Sequence, residues 1–89
     1  MDQVEALILH LTAARGVEKS ICPSEVARAL DADWQRRMKD VRAAAVRLAR
    51  AGRVEILHKG KKVTELDAVR GVIRLRGVEA ERNANPRRD

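Results

Sequence analysis

CPSEVARALDADWQRRMKDVRAAAVRLARAG, residues 22–52, carries the reading that decides the fold. Pro23 suits the first position of a helix, where its missing N–H would find no partner anyway, and Glu25 brings negative charge to the first turn, against the helix dipole. Val26, Ala27 and Leu30 then share one face. Asp31, Ala32 and Asp33 break that pattern with a link short enough to be the turn of a helix-turn-helix. Beyond it Trp34, Met38, Val41, Ala45 and Leu48 recur in steps of four and three and stop at Gly52, a residue type common just past a helix end. Two residues resist this scheme. Arg37 falls toward the core side and Val46 toward the outer side, and the first of these predicts that residues 34–38 form a separate turn before the main helix.

Working outward, Val4, Leu7, Ile8 and Leu11 repeat at helical spacing between Asp2 and Arg15, with Asp2 and Glu5 in the first turn and Gly16 beyond the end. On the far side of this first helix Ala6, Leu9 and Ala13 form a thinner apolar stripe, a candidate contact with a second copy of the chain. Lys19, Ser20 and Ile21 fit one small strand. After Gly52 the period changes: Val54 and Ile56 alternate with Arg53 and Glu55, Lys59 and Gly60 mark a tight turn, and Val63 and Thr64 can return from it. Gly71 to Arg76 again alternates, with Ile73 and Leu75 on one face and Arg74 and Arg76 on the other. Residues 77–89 have no periodicity and read as a disordered tail. Three helices followed by a hairpin predict a mainly α winged helix-turn-helix domain over residues 1–76, with two or three short strands.

The runs Ser20 to Arg28, Trp34 to Met38, Val41-Arg42, Lys59-Gly60 and Gly71 to Leu75 resemble a family of small bacterial winged-helix domains of unknown function, over about residues 3–76. In that pattern a proline often stands where Lys39 and Val72 stand here. The resemblance therefore implies a main helix that starts near Met38. It implies no activity.

A chain of 89 residues supports one modest core, and with Phe and Tyr absent and Trp34 alone among aromatics, that core must be aliphatic. The same scarcity removes the stacking platforms of single-strand RNA and DNA binders. Charge is unevenly placed. Residues 1–34 carry 3 basic and 6 acidic side chains, residues 35–62 carry 10 and 2, and residues 63–89 carry 6 and 5. Ten cations almost unrelieved by carboxylates are unusual on a surface that merely keeps a protein soluble, where both signs normally mix, and they suit a polyanion.

Fold and charge together point to duplex DNA, bound without chemistry by a small regulator. Lys39, Asp40, Arg42 and Ala43, early in the second helix of the motif, are the candidates for base edges; Arg36, Arg47 and Arg50 are the candidates for phosphates. Lys59, Lys61 and Lys62 around Gly60 would reach backbone or an adjacent groove. Duplex RNA fits less well, because its major groove is too narrow for a helix. The runner-up is a protein-interaction module aimed at an acidic partner.

Other chemistry finds little footing. Cys22 precedes Pro23 at a helix start, where the dipole favours thiolate and a redox switch is conceivable, but a buried cysteine acting as a small hydrophobe is the commoner case. His10, His58 and Cys22 lack a metal-ligand spacing, and Ser20 and Ser24 lack a base. No enzyme activity, cofactor, metal or small-molecule substrate is expected. No stretch is apolar enough to span a membrane and no basic leader precedes an apolar run, so a cytoplasmic location is expected.

Overall fold

In the computed structural model, which describes residues 1–79, helix α1 spans Gln3–Arg15. Asp2 caps it: its carboxylate accepts the Glu5 N–H at 2.8 Å while the Glu5 carboxylate accepts the Asp2 N–H at 3.2 Å. This reciprocal pair satisfies two donors that a helix start leaves orphaned. Ile8 is fully buried, and Val4, Leu7 and Leu11 pack partly against the core. Thr12, outside the expected stripe, is buried as well; its hydroxyl donates to the Ile8 carbonyl at 2.9 Å, which removes the penalty of burying it.

Helix α2 spans Pro23–Leu30, with Pro23 in its first turn and the Glu25 carboxylate accepting the Cys22 N–H at 2.9 Å. A single 3-10 turn, Trp34–Arg37, then leads into α3, Met38–Arg50. The separate turn explains Arg37. Its guanidinium lies 3.4 Å from Asp40 and 3.8 Å from Asp31, between the two helices instead of in the core. Val46, expected on the outer side, packs partly against the core, and the half-buried Trp34 carries the Arg28 guanidinium over its ring at 4.6 Å.

Strand β1, Val54–His58, turns at Lys59-Gly60 into β2, Lys61–Lys62. The return begins two residues before the expected Val63, although the Val63 N–H still reaches the Ile56 carbonyl at 2.8 Å. Strand β3, Arg74–Gly77, starts later than the alternation from Gly71 suggests and ends at Gly77; it lies antiparallel to β1, with Ile56 opposite Leu75, and the sheet order is β2-β1-β3. The short strand expected at residues 19–21 reduces to one bridge, in which Ile21 exchanges two backbone hydrogen bonds with Leu75 at 2.8 and 2.9 Å. Residues 59–73 thus form a long wing, and its 3-10 turn Leu66–Ala68 packs back onto α3. Of the tail expected from residue 77, residues 80–89 lie outside the described residues.

The architecture is a winged helix-turn-helix. Ile8, Ile21, Val26, Val41, Ile56 and Leu75 are the largest fully buried side chains, each contributing about 1.5–3 kcal/mol by leaving water. Ala27, Ala44 and Ala45 are buried between them. Small side chains there let α2 and α3 approach closely, which is how a core without Phe or Tyr still closes.

Candidate nucleic-acid interface

Val41, Ala44, Ala45 and Leu48 are the buried side of α3, so Lys39, Ala43 and Arg50 face solvent. The two flanks of this exposed stripe are set by their contacts. Arg47 reaches α1; Arg42 reaches the wing.

On the α1 flank, Arg47 Nε donates to Glu5 Oε2 at 2.6 Å and Nη2 to Asp2 Oδ2 at 3.0 Å. The Arg47 hydrogen bond, joined by the Asp2 N–H, holds the Glu5 carboxyl below its ordinary 4.5, and the same contact raises Arg47. Asp2, Val4, Asp40, Ala43 and Arg47 line one cleft of about 260 Å³. Two expected base readers, Asp40 and Ala43, therefore look onto a surface that also carries Asp2. At the far end of the helix Arg50 pairs with Asp67 of the wing.

The wing flank is different in kind. Arg42 Nη1 donates to the Gly71 carbonyl at 3.0 Å, and His58 Nδ1 lies 3.0 Å from the Val72 carbonyl. Gly71 has φ +74°, and a Cβ there would stand 3.2 Å from His58 Cε1, so this close passage of the chain requires glycine. Lys59, Gly60, Val72 and Arg74 border a common cleft of about 450 Å³. Arg74 is steadied by Ser20, donating to its hydroxyl at 2.7 Å and to its carbonyl at 3.0 Å. The wing turn itself is type I′, with positive φ at both Lys59 (53°) and Gly60 (81°).

Among the described residues, no carboxylate lies within ion-pair distance of Lys39, Arg42, Lys59, Lys61, Arg70 or Arg74. Lys62 stands 3.8 Å from Glu55, a carboxylate that Arg76 already holds at 2.6 Å, and Arg36 stands 3.8 Å from Asp33. Of the ten expected interface residues, the fold joins Arg42 to Gly71 of the wing and ties Arg47 and Arg50 to acids. Arg70, Val72 and Arg74 were not among those candidates. The outward alternation of Arg74 was the available signal; the position of residues 70–72 depends on the wing's return path, which has no periodicity.

The remaining candidates are placed as follows. Leu9 packs partly against the core while Ala6 and Ala13 are exposed. Cys22 is half-buried and accepts the Ser24 hydroxyl at 3.1 Å. Among the described residues no group of three or more His, Cys, Asp or Glu side chains could hold a metal ion, and no helix is long and apolar enough to cross a membrane.

A family model described as "Protein of unknown function (DUF3253)" matches residues 1–78. No curated protein matches the chain.

Proposed function

The chain belongs to the DUF3253 family, whose description states no function, and from that footing we propose that it is a non-enzymatic duplex DNA-binding protein. In this reading the side of α3 that carries Lys39 and Arg42 enters the major groove, and the wing, with Lys59, Lys61, Arg70 and Arg74, follows the backbone into the neighbouring groove. The observation that carries it is the hydrogen bond from Arg42 to the Gly71 carbonyl, which fastens Lys39 and Arg42 of α3 to a wing with Lys59, Lys61, Arg70 and Arg74, cations that meet no carboxylate within ion-pair distance among the described residues. One continuous flank then presents positive charge in fixed geometry. The opposite flank, with Asp2, Glu5 and Asp40, repels phosphate and sets the side of approach.

Fluorescence anisotropy with a labelled random-sequence 20-base-pair duplex tests this. Binding at 50 mM salt is expected to weaken by roughly two to three orders of magnitude at 200 mM, as release of counterions from about five phosphates requires. Absence of binding at 50 mM salt overturns the proposal, and a partner captured undiminished after nuclease treatment would redirect it to an acidic protein.

A further inference from the structure

Val72 is 83% exposed, and Met1 is the other exposed large hydrophobic residue among those described. A lone exposed valine on a mobile loop would need no explanation. Val72 is not so placed. The carbonyl before it is held by Arg42 at 3.0 Å, its own carbonyl lies 3.0 Å from His58 Nδ1, and the next residue, Ile73, is buried in the core. Gly71, at φ +74°, sets the bend that turns the valine outward. The backbone is thus hydrogen-bonded on both sides of a side chain left almost wholly exposed.

Its neighbours are equally particular. Arg74 and Lys59 border the same cleft as Val72, Arg74 is held in place by Ser20, and among the described residues neither cation has a carboxylate within ion-pair distance. An apolar side chain beside Arg74 and Lys59 suits the minor groove: the cations answer its negative potential, strongest over A·T tracts, and the valine meets its floor. That floor differs between base pairs in one respect. A·T and T·A pairs show only acceptors, whereas G·C adds the guanine 2-amino group, which projects into the groove as a donor. A valine pressed against that amino group would exclude water from it and offer no acceptor in return.

We infer that Val72 is a specificity-determining residue of the wing, selecting duplex steps that lack the 2-amino group in the minor groove. The inference rests on the DNA-binding reading above and adds to it a sequence preference that charge alone does not produce. The hydrogen bonds of Arg42 and His58 to the flanking carbonyls restrain the chain at Val72 before contact, which lowers the entropy lost in it.

The test uses base analogues that alter one groove at a time. Replacing guanine by inosine removes the 2-amino group and leaves the major-groove edge of the pair unchanged; replacing adenine by 2,6-diaminopurine adds the amino group to an A·T pair. Affinities of the full chain are measured for a mixed 20-base-pair duplex and its inosine and diaminopurine versions, at one salt concentration, for the natural sequence and for Val72→Asn, whose amide can accept from the amino group. The expected result is inosine duplex bound roughly tenfold tighter than the guanine parent, diaminopurine duplex bound weaker than the parent, and both differences reduced to about twofold or less in Val72→Asn. Equal affinity for the inosine and guanine duplexes, or a preference that persists in Val72→Asn, overturns the role of Val72 while leaving DNA binding intact. Failure of the natural sequence to bind any of the three duplexes at low salt removes both readings.

Discussion

Arg47 Nε lies 2.6 Å from Glu5 Oε2, so the glutamate that completes the capping box of the first helix also takes up a cation of the third. Glu5 thereby has two tasks, accepting from Arg47 and from the Asp2 N–H, and the guanidinium nearest the acidic turn is not free for phosphate. If duplex DNA approaches α3, Asp2 and Glu5 act as a built-in competitor for Arg47. Glu5→Gln is therefore expected to tighten binding to random duplex several-fold and to steepen its salt dependence, because one more cation becomes available. Anisotropy at 50 and 200 mM salt reads both. Unchanged affinity would put the α1 flank outside the DNA path.

The same carboxylate makes stability depend on pH, together with Glu25. Glu5 is held low first by Arg47, and Glu25 first by the Cys22 N–H, with Arg15 adding to it at 2.6 Å. Both groups have folded values below the ordinary 4.5, so the unfolded chain binds their protons more readily. The stability they contribute is fully present above 4.5 and is lost as pH falls through their lowered folded values. Urea midpoints measured from pH 6 down to pH 3 are expected to decline in acid. The decline should be shallower in Glu5→Gln with Glu25→Gln, and equal steepness in the double variant would show that other carboxylates govern acid unfolding.

The helices were legible because their signals are local. Pro23 and Glu25 mark a start, Asp31 to Asp33 marks a stop, and the four-and-three steps of Trp34 to Leu48 need no partner to be recognised. Strand β2 was displaced because it consists of two exposed lysines with no apolar alternation to read. The interface was only partly legible, for a related reason. Arg47 and Lys59 are equivalent in a charge tally, yet the acids that meet Arg47 are 42 and 45 residues away in the chain, and Asp67, which meets Arg50, lies beyond the basic block. Which cations stay free depends on how α1 crosses α3 and where the wing folds back. Neither has a periodic signature.

Lys59 is, among the described residues, the non-glycine residue with positive φ, at 53°. A side chain with a Cβ is strained there, and asparagine, which tolerates this conformation and suits the first central position of a type I′ turn, relieves the strain. Lys59→Asn is expected to stabilise the fold by about 0.5–1 kcal/mol in urea unfolding and at the same time to weaken DNA binding about equally for all sequences. Strain retained at a binding position is the pattern this predicts. A variant that is more stable and binds as well as before would assign Lys59 no part in binding.

Arg42 combines two roles that substitution can separate. One nitrogen, Nη1, is engaged with the Gly71 carbonyl at 3.0 Å, and the rest of its planar fork remains available to a phosphate or a base edge. Removing the side chain therefore loosens the wing as well as deleting a charge, whereas Lys61, on the exposed edge strand, contributes charge alone. Arg42→Met keeps the length and helix preference of the side chain while losing both roles. It is expected to lower the backbone NMR order parameters at Val72 and Ile73 and to lower affinity for duplex DNA by more than about tenfold, a loss in the range that one good arginine contact supplies. Lys61→Ala should leave those order parameters unchanged, weaken all sequences about equally and reduce the salt slope by about one. If Arg42→Met leaves the order parameters at residues 72 and 73 unaltered, the wing is held by the sheet and by His58. Its loss of affinity would then measure the contact with DNA directly.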